Sequence, residues 1–170
     1  QLVHMQHDLD GVVCALNGPV YGGAIDLALA CDFRLSHDGL VMAVPAARLG
    51  LHYYASGQRR YVSRLGLNAA KRLLLAAETL DAAHALRIGF LDEIVPVDLV
   101  LEKALVLAAR LARNAPVATQ DMKRSLNAIA DGTADDVAMN ALFSKSLASD
   151  DFAEGRAAWA EKRKPEFKGK

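Results

Sequence analysis

Residues 15–32 read Ala15-Leu16-Asn17-Gly18-Pro19-Val20-Tyr21-Gly22-Gly23-Ala24-Ile25-Asp26-Leu27-Ala28-Leu29-Ala30-Cys31-Asp32. An apolar run of strand length, Val12 to Leu16, leads into this stretch. Continuous apolar runs of that kind suit strands buried on both faces of a parallel sheet. Asn17-Gly18-Pro19 punctuates the run. Gly22-Gly23 then opens a short apolar helix over Ala24 to Cys31. Glycine lets other atoms come close to the backbone. The first N–H groups of a helix lack intrahelical partners and carry the positive end of its dipole. A developing oxyanion, such as a thioester enolate, can sit there. The same glycines also fit a tight turn with no ligand. The pattern is neither GxGxxG nor GxxxxGK[ST], which argues against a nucleotide-phosphate loop.

Working outward, Asp32 to Ser36 and Leu40 to Val44 read as two further strands, the second closed by Pro45. Strand, helix, strand predicts a βαβ unit and an α/β fold. Upstream, Leu2 to Leu9 is His-rich and ambiguous between a helix end and a loop. Gln1 stands first, within what reads as a helix, which hints at a preceding part. From Gly57 the period turns helical. One helix runs from Gln58 to Leu65, stopped by Gly66, and Asn68 can cap the next, Ala69 to Ala77. Thr79 or Asp81 can cap Ala82 to Ile88, with Gly89 as its stop. Phe90 to Val95 reads as a short strand. Asp98 can cap a long helix to Arg113, Pro116 opens another to Ala130, and Asp135 to Leu147 and Asp151 to Lys162 follow. The expected organisation is a sheet-containing part over 1–66 joined to a mostly helical part over 67–170.

The 170 residues are 52% hydrophobic and 24% charged, enough for a core and against disorder. Lys+Arg and Asp+Glu balance at 20 each, for a formal net charge of zero. That argues against a bulk electrostatic grip on nucleic acid or a membrane surface. Only two cysteines occur, Cys14 and Cys31, with no CxxC pair. Neither a disulfide framework nor a zinc site is expected. Both read as buried small hydrophobes. A cytoplasmic or organelle-matrix setting fits. No apolar stretch reaches membrane-spanning length, and no signal-peptide pattern stands at the start.

The run NGPVYGGAIDLALACD over 17–32 resembles the enoyl-CoA hydratase/isomerase family, the crotonase superfamily. PAARLGL over 45–51, the block 57–96 and EKRKPEF over 161–167 follow in the family's order. The resemblance covers nearly the whole chain, which looks like the C-terminal two-thirds of a member. It implies a partial ββα spiral core followed by a helical C-terminal region that forms homotrimers, often stacked into hexamers. It implies an acyl-CoA substrate and no tightly bound cofactor or metal, the CoA thioester being substrate. The preceding third would carry the first oxyanion-hole N–H and much of the CoA site.

By this resemblance Gly23 carries the second oxyanion-hole N–H, with Gly22 beside it. Asp26 stands where hydratases have their first catalytic glutamate; a carboxylate there also suits the helix dipole. Ala46 follows Pro45 where the second catalytic glutamate is expected. A methyl group transfers no proton. The stretch Leu49-Gly50-Leu51-His52-Tyr53 is similar to one in methylmalonyl-CoA decarboxylase, where the post-proline glutamate is also missing. Tyr53 would then orient or bind a malonyl carboxylate, with His52 and Tyr54 as further substrate-binding candidates. All three also suit aromatic packing over a pocket rim. Trp159 and Lys162 match positions that reach the CoA of a neighbouring subunit; residues 154–170 hold six Lys/Arg against three Asp/Glu. Arg59, Arg60 and Arg64 read as a solvated or salt-bridged helix face, with phosphate binding as the alternative. His4, His7, His37 and His84 receive no role. The label that the resemblance implies is enoyl-CoA hydratase/isomerase. A methylmalonyl-CoA-type decarboxylase and a catalytically impaired CoA-binding scaffold remain alternatives.

Overall fold

The structure is a computed structural model that describes residues 11–170. The His-rich segment 2–9, with His4 and His7, lies outside the described residues. Among the described residues no helix is long and apolar enough to cross a membrane.

Strand β1 (Val13–Leu16) pairs in parallel with β3 (Phe33–Ser36), from Val13 opposite Phe33 to Leu16 opposite Ser36. Helix α1 (Gly23–Ala30) makes the crossover, so the expected βαβ unit is present. A second sheet begins with β2 (Val20–Tyr21), which pairs in parallel with β4 (Val41–Ala43). Chain order is therefore β1-β2-α1-β3-β4. Each pass lays one strand in each sheet before or after the helix. Strand β5 (Thr79–Asp81) joins β4 antiparallel, and β6 (Glu93–Ile94) joins β3 in parallel.

Between the β4 and β5 strands, a 3₁₀ turn spans Pro45–Leu49 and helix α2 spans Ala55–Leu74. Gly66 interrupts α2 with φ 78° and ψ 162°. The glycine read as a stop thus breaks one long helix into two arms. Helix α3 (Ala82–Arg87) starts where Asp81 accepts the His84 N–H at 2.8 Å, and Gly89 follows it at φ 76°. A 3₁₀ turn over Val97–Leu99 takes the place expected for an Asp98 cap, and α4 begins at Val100 (Val100–Leu111).

Ile25 and Leu29 of α1 pack with Met42, Tyr61, Leu73, Leu80 and Phe90 in one buried cluster. A fully buried apolar side chain of this size contributes about 1.5–3 kcal/mol over an exposed one. Arg34 of β3 is buried, 5% exposed. Its guanidinium donates to the carbonyls of Phe90 (2.5 Å) and Cys31 (2.7 Å), and its own N–H donates to Asp92 at 2.7 Å. A cation at the carboxyl end of α1 caps orphan carbonyls and complements the dipole. Burial pulls the Arg34 pKa down, and the Asp92 carboxylate opposes that shift. Cys14 and Cys31 are half-buried rather than buried. The Cys31 thiol donates to the Leu27 carbonyl at 3.6 Å, and the interaction of Cys14 with Cys31, followed by desolvation, pushes the Cys14 thiol up.

Two compact units divide the described residues, one over 12–108 and the other over 109–170 with Gly11. The first runs past residue 66, because β5 and β6 return to the two sheets. The second contains α5 (Pro116–Ala130), α6 (Asp136–Leu147) and α7 (Asp150–Glu161). Pro116 opens α5, Asp135 caps α6, and Ser149 caps α7 by accepting the Phe152 N–H. The tail folds back on α7. Lys168 and Gly169 donate their N–H groups to the Asp151 carboxylate at 2.7 and 2.9 Å.

Candidate active site

The glycine turn and the segment after β4 enclose a cavity of about 410 Å³. Gly22 and Gly23 form one wall, and Ala46, His52, Tyr53 and Tyr54 face it. Val44, Pro45, Leu49 and Leu51 complete an apolar lining. No carboxylate belongs to it among the described residues.

The turn has a local cause. Gly22 sits at φ 53°, ψ −123°, a conformation that side chains rarely tolerate. Its N–H is spent on the Ala43 carbonyl at 3.0 Å. Gly23 is the first residue of α1, where N–H groups have no intrahelical acceptor. A Cβ at Gly22 or Gly23 would meet nothing within 4 Å. The open space beside them is therefore available to another molecule, and the protein's own packing does not require it.

Asp26 is seated one turn into α1 and is 7% exposed. It does not line the cavity. One carboxylate oxygen pairs with the Arg60 guanidinium at 2.6 Å, both side chains being about one-tenth exposed. The other accepts the Tyr54 hydroxyl at 2.5 Å. Burial, and then the bond to the Asp26 carboxylate, push the Tyr54 pKa well above its ordinary value, so the phenol stays protonated. The carboxylate expected to handle protons is occupied on both oxygens.

Tyr53 and Tyr54 stack at 4.7 Å with 19° between their planes. Tyr61 meets Tyr53 edge-on at 5.6 Å and 80°. The Tyr53 hydroxyl lies 3.5 Å from the Gly22 carbonyl, a long hydrogen bond. Burial drives the Tyr61 pKa upward. His52 is exposed at the rim. Ala46 is 6% exposed and follows Pro45 in the 3₁₀ turn. The position expected for a second carboxylate is a buried methyl on the cavity wall.

The structure thus brings together Gly22, Gly23, His52, Tyr53 and Tyr54, with Asp26 behind them. Trp159 and Lys162 belong to the second unit. Trp159 is 87% exposed and lines an apolar groove of about 960 Å³ formed by α5, α6, α7 and the tail. Lys162 ends α7 in the left-handed conformation at φ 54°. No cluster of metal-ligating side chains occurs among the described residues.

Arg60 takes the salt-bridged alternative of its expected helix face, with a partner the sequence did not indicate, and Gly57 was given no role. Arg60 turns inward to Asp26, although its neighbour Arg59 stays exposed on the expected solvated face. Gly57 lies beneath the tyrosine pair: a Cβ there would come within 2.6 Å of Tyr53 and 2.8 Å of Tyr54. Their spacing held a signal. Positions 57, 60, 61 and 64 share one helix face, and that face alternates a glycine, cations and an aromatic.

Comparison with known proteins bears on the whole chain. The family model described as enoyl-CoA hydratase/isomerase matches residues 5–170. The chain is 33% identical to 2,3-dehydroadipyl-CoA hydratase of Escherichia coli (strain K12) across 94% of its length. It is also 33% identical to carnitinyl-CoA dehydratase of Citrobacter koseri across 96%. A crystal structure of an enoyl-CoA hydratase/isomerase family protein from Hyphomonas neptunium superposes with a TM-score of 0.91 at 29% identity, covering 99% of this chain. The chain spans 63%, 65% and 65% of those three proteins. Sequence, fold and the glycine turn agree: with its mixed α/β core and helical C-terminal region, this chain belongs to the enoyl-CoA hydratase/isomerase family.

Proposed function

We propose that the full-length protein binds an acyl-CoA thioester and stabilises its enolate oxygen on the Gly23 N–H. The carrying observation is that Gly23 opens α1 beside a cavity with open space over the turn. A preorganised N–H at a helix start holds charge that appears only as the reaction proceeds, which lowers the barrier and not merely the ground state. Substrate brings the CoA, so no resident cofactor or metal enters. Asp26 serves as an anchor for Tyr54. Trp159 and Lys162 meet the CoA of a neighbouring copy in a homotrimer or hexamer assembled through the helical region, where apolar side chains stand exposed.

Hydration is named for several relatives. Adding water needs a base for the water and an acid for the α-carbon. Among the described residues the cavity lining holds no carboxylate and Asp26 is engaged on both oxygens, so slow hydration is expected. That observation favours a second reading, decarboxylation of a malonyl-type thioester. Its C–C bond breaks, carbon dioxide leaves, and the electron pair becomes the enolate; the α-carbon then takes a proton from solvent. No base is required.

The test follows the loss of crotonyl-CoA and of methylmalonyl-CoA in parallel with full-length protein. Consumption of the malonyl thioester faster than crotonyl-CoA supports the second reading, and the reverse restores hydration. Binding of both with turnover of neither leaves a scaffold and sinks the catalytic proposal.

A further inference from the structure

The Gly22 carbonyl and the Gly23 N–H are the two ends of one planar, conjugated peptide group. That carbonyl accepts hydrogen bonds from the Ile25 N–H at 3.1 Å and from the Tyr53 hydroxyl at 3.5 Å. A donor on the carbonyl oxygen draws electron density from the amide nitrogen and makes its N–H a better donor. Resting on the reading of the Gly23 N–H as oxyanion donor, we infer that Tyr53 works through this peptide as a positioning residue. We infer also that a chain of contacts from Arg60 through Asp26 and Tyr54 holds it there.

Each link is a contact of defined geometry. Arg60 pairs with Asp26 at 2.6 Å, and Asp26 accepts the Tyr54 hydroxyl at 2.5 Å. The Tyr54 ring stacks on Tyr53 at 4.7 Å, and the fully buried Tyr61 closes the other side edge-on. Gly57 supplies the floor, since a Cβ would reach within 2.6 Å of the Tyr53 ring. Gly57 has ordinary helical geometry, so contact rather than backbone conformation excludes a side chain there. A buried ion pair is a weak source of stability against an apolar replacement. Its product here is geometric: the Tyr54 ring is fixed, and with it the Tyr53 hydroxyl at the turn.

The experiment uses full-length protein and cinnamoyl-CoA, a conjugated thioester whose absorption moves to the red when its carbonyl oxygen accepts hydrogen bonds. Tyr53→Phe removes only the hydroxyl. Gly57→Ala displaces the stack without removing a polar group, while helix propensity favours alanine. The bound probe shows a red shift on wild type and a smaller one on both variants. In both variants kcat on the better substrate falls roughly 1.5- to 4-fold, the effect of losing about 10–30% of one charge-assisted hydrogen bond, with KM unchanged. A full red shift in both variants, or a raised KM with kcat unchanged, overturns the inference and leaves the tyrosines as packing. Failure of wild type to bind or shift the probe sinks the Gly23 reading itself, and this inference with it.

Discussion

Asp26 shows how one residue type at one position is turned to a different use by its partners. An ionised carboxylate is a poorer base when each oxygen already accepts a buried donor, because those bonds favour its charged form. Arg60 and Tyr54 take one oxygen each, and the pair is out of water. Breaking such a pair by removing one partner costs about 3–5 kcal/mol, whereas replacing both by apolar groups is often neutral or better. Arg60→Met is therefore expected to destabilise by about 3–5 kcal/mol in urea unfolding. Arg60→Met combined with Asp26→Leu recovers most of that loss. A double variant no more stable than Arg60→Met alone contradicts the pairing. The identity of Asp26 and its place on α1 were legible from the glycine turn. Its partnership was not, because Arg60 lies 34 positions away and no local period links a residue of α1 to one of α2.

Elements defined by long apolar or periodic runs were legible: β1, α1, β3, β4 and the helices after Pro116 emerge close to their expected bounds. Strands β2 and β5, of two and three residues, are too short to display a period, and pairing with β4 creates them. Gly66 was read as a stop, and the helical path does break there, the next arm starting at once on the far side of a kink. Its φ of 78° and ψ of 162° belong to a region essentially closed to side chains. Gly66→Ala is thus expected to cost about 1–3 kcal/mol by denaturant unfolding, although alanine is the better helix former. A stabilised Gly66→Ala would refute that assignment.

The tail makes the pH-sensitive element. Glu154 accepts two bonds from Arg163 and one from the Glu166 N–H. Those bonds pull its pKa from 4.5 down to about 2, the Arg163 side chain contributing most. A depressed carboxylate pKa stabilises fully above the unfolded value and loses that stabilisation as pH falls through the folded one. The latch on α7 is expected to hold above pH 4.5 and to loosen toward pH 2. Amide exchange at Glu166 read against pH checks this. Protection unchanged down to pH 2 would contradict the Glu154 assignment.

At the scale of the molecule, composition predicted a core and periodicity a helical second half. Neither predicted where apolar surface would remain. Met122, Leu126, Ile129, Val137 and Phe143 are all more than half exposed on α5 and α6. Surfaces of this kind mark interfaces, so full-length protein is expected to sediment as a symmetric oligomer, and Leu126→Glu to shift it toward monomer. A wild-type monomer at micromolar concentration would leave that surface unexplained.

On the proposed reading, this site works by oxyanion stabilisation without paired carboxylates. Ala46 is where that claim is most exposed. The side chain lies on the cavity wall behind Pro45, so Ala46→Glu places one carboxylate where the resemblance leads one to expect the second. The decisive measurement is the steady-state hydration of crotonyl-CoA by wild type and Ala46→Glu. A single positioned acid–base group contributes roughly 10²–10⁴-fold, so hydration by Ala46→Glu is expected to exceed a slow wild-type rate by about 10²-fold. Wild type already turning over on the order of hundreds of times per second, with Ala46→Glu no faster, would contradict the account.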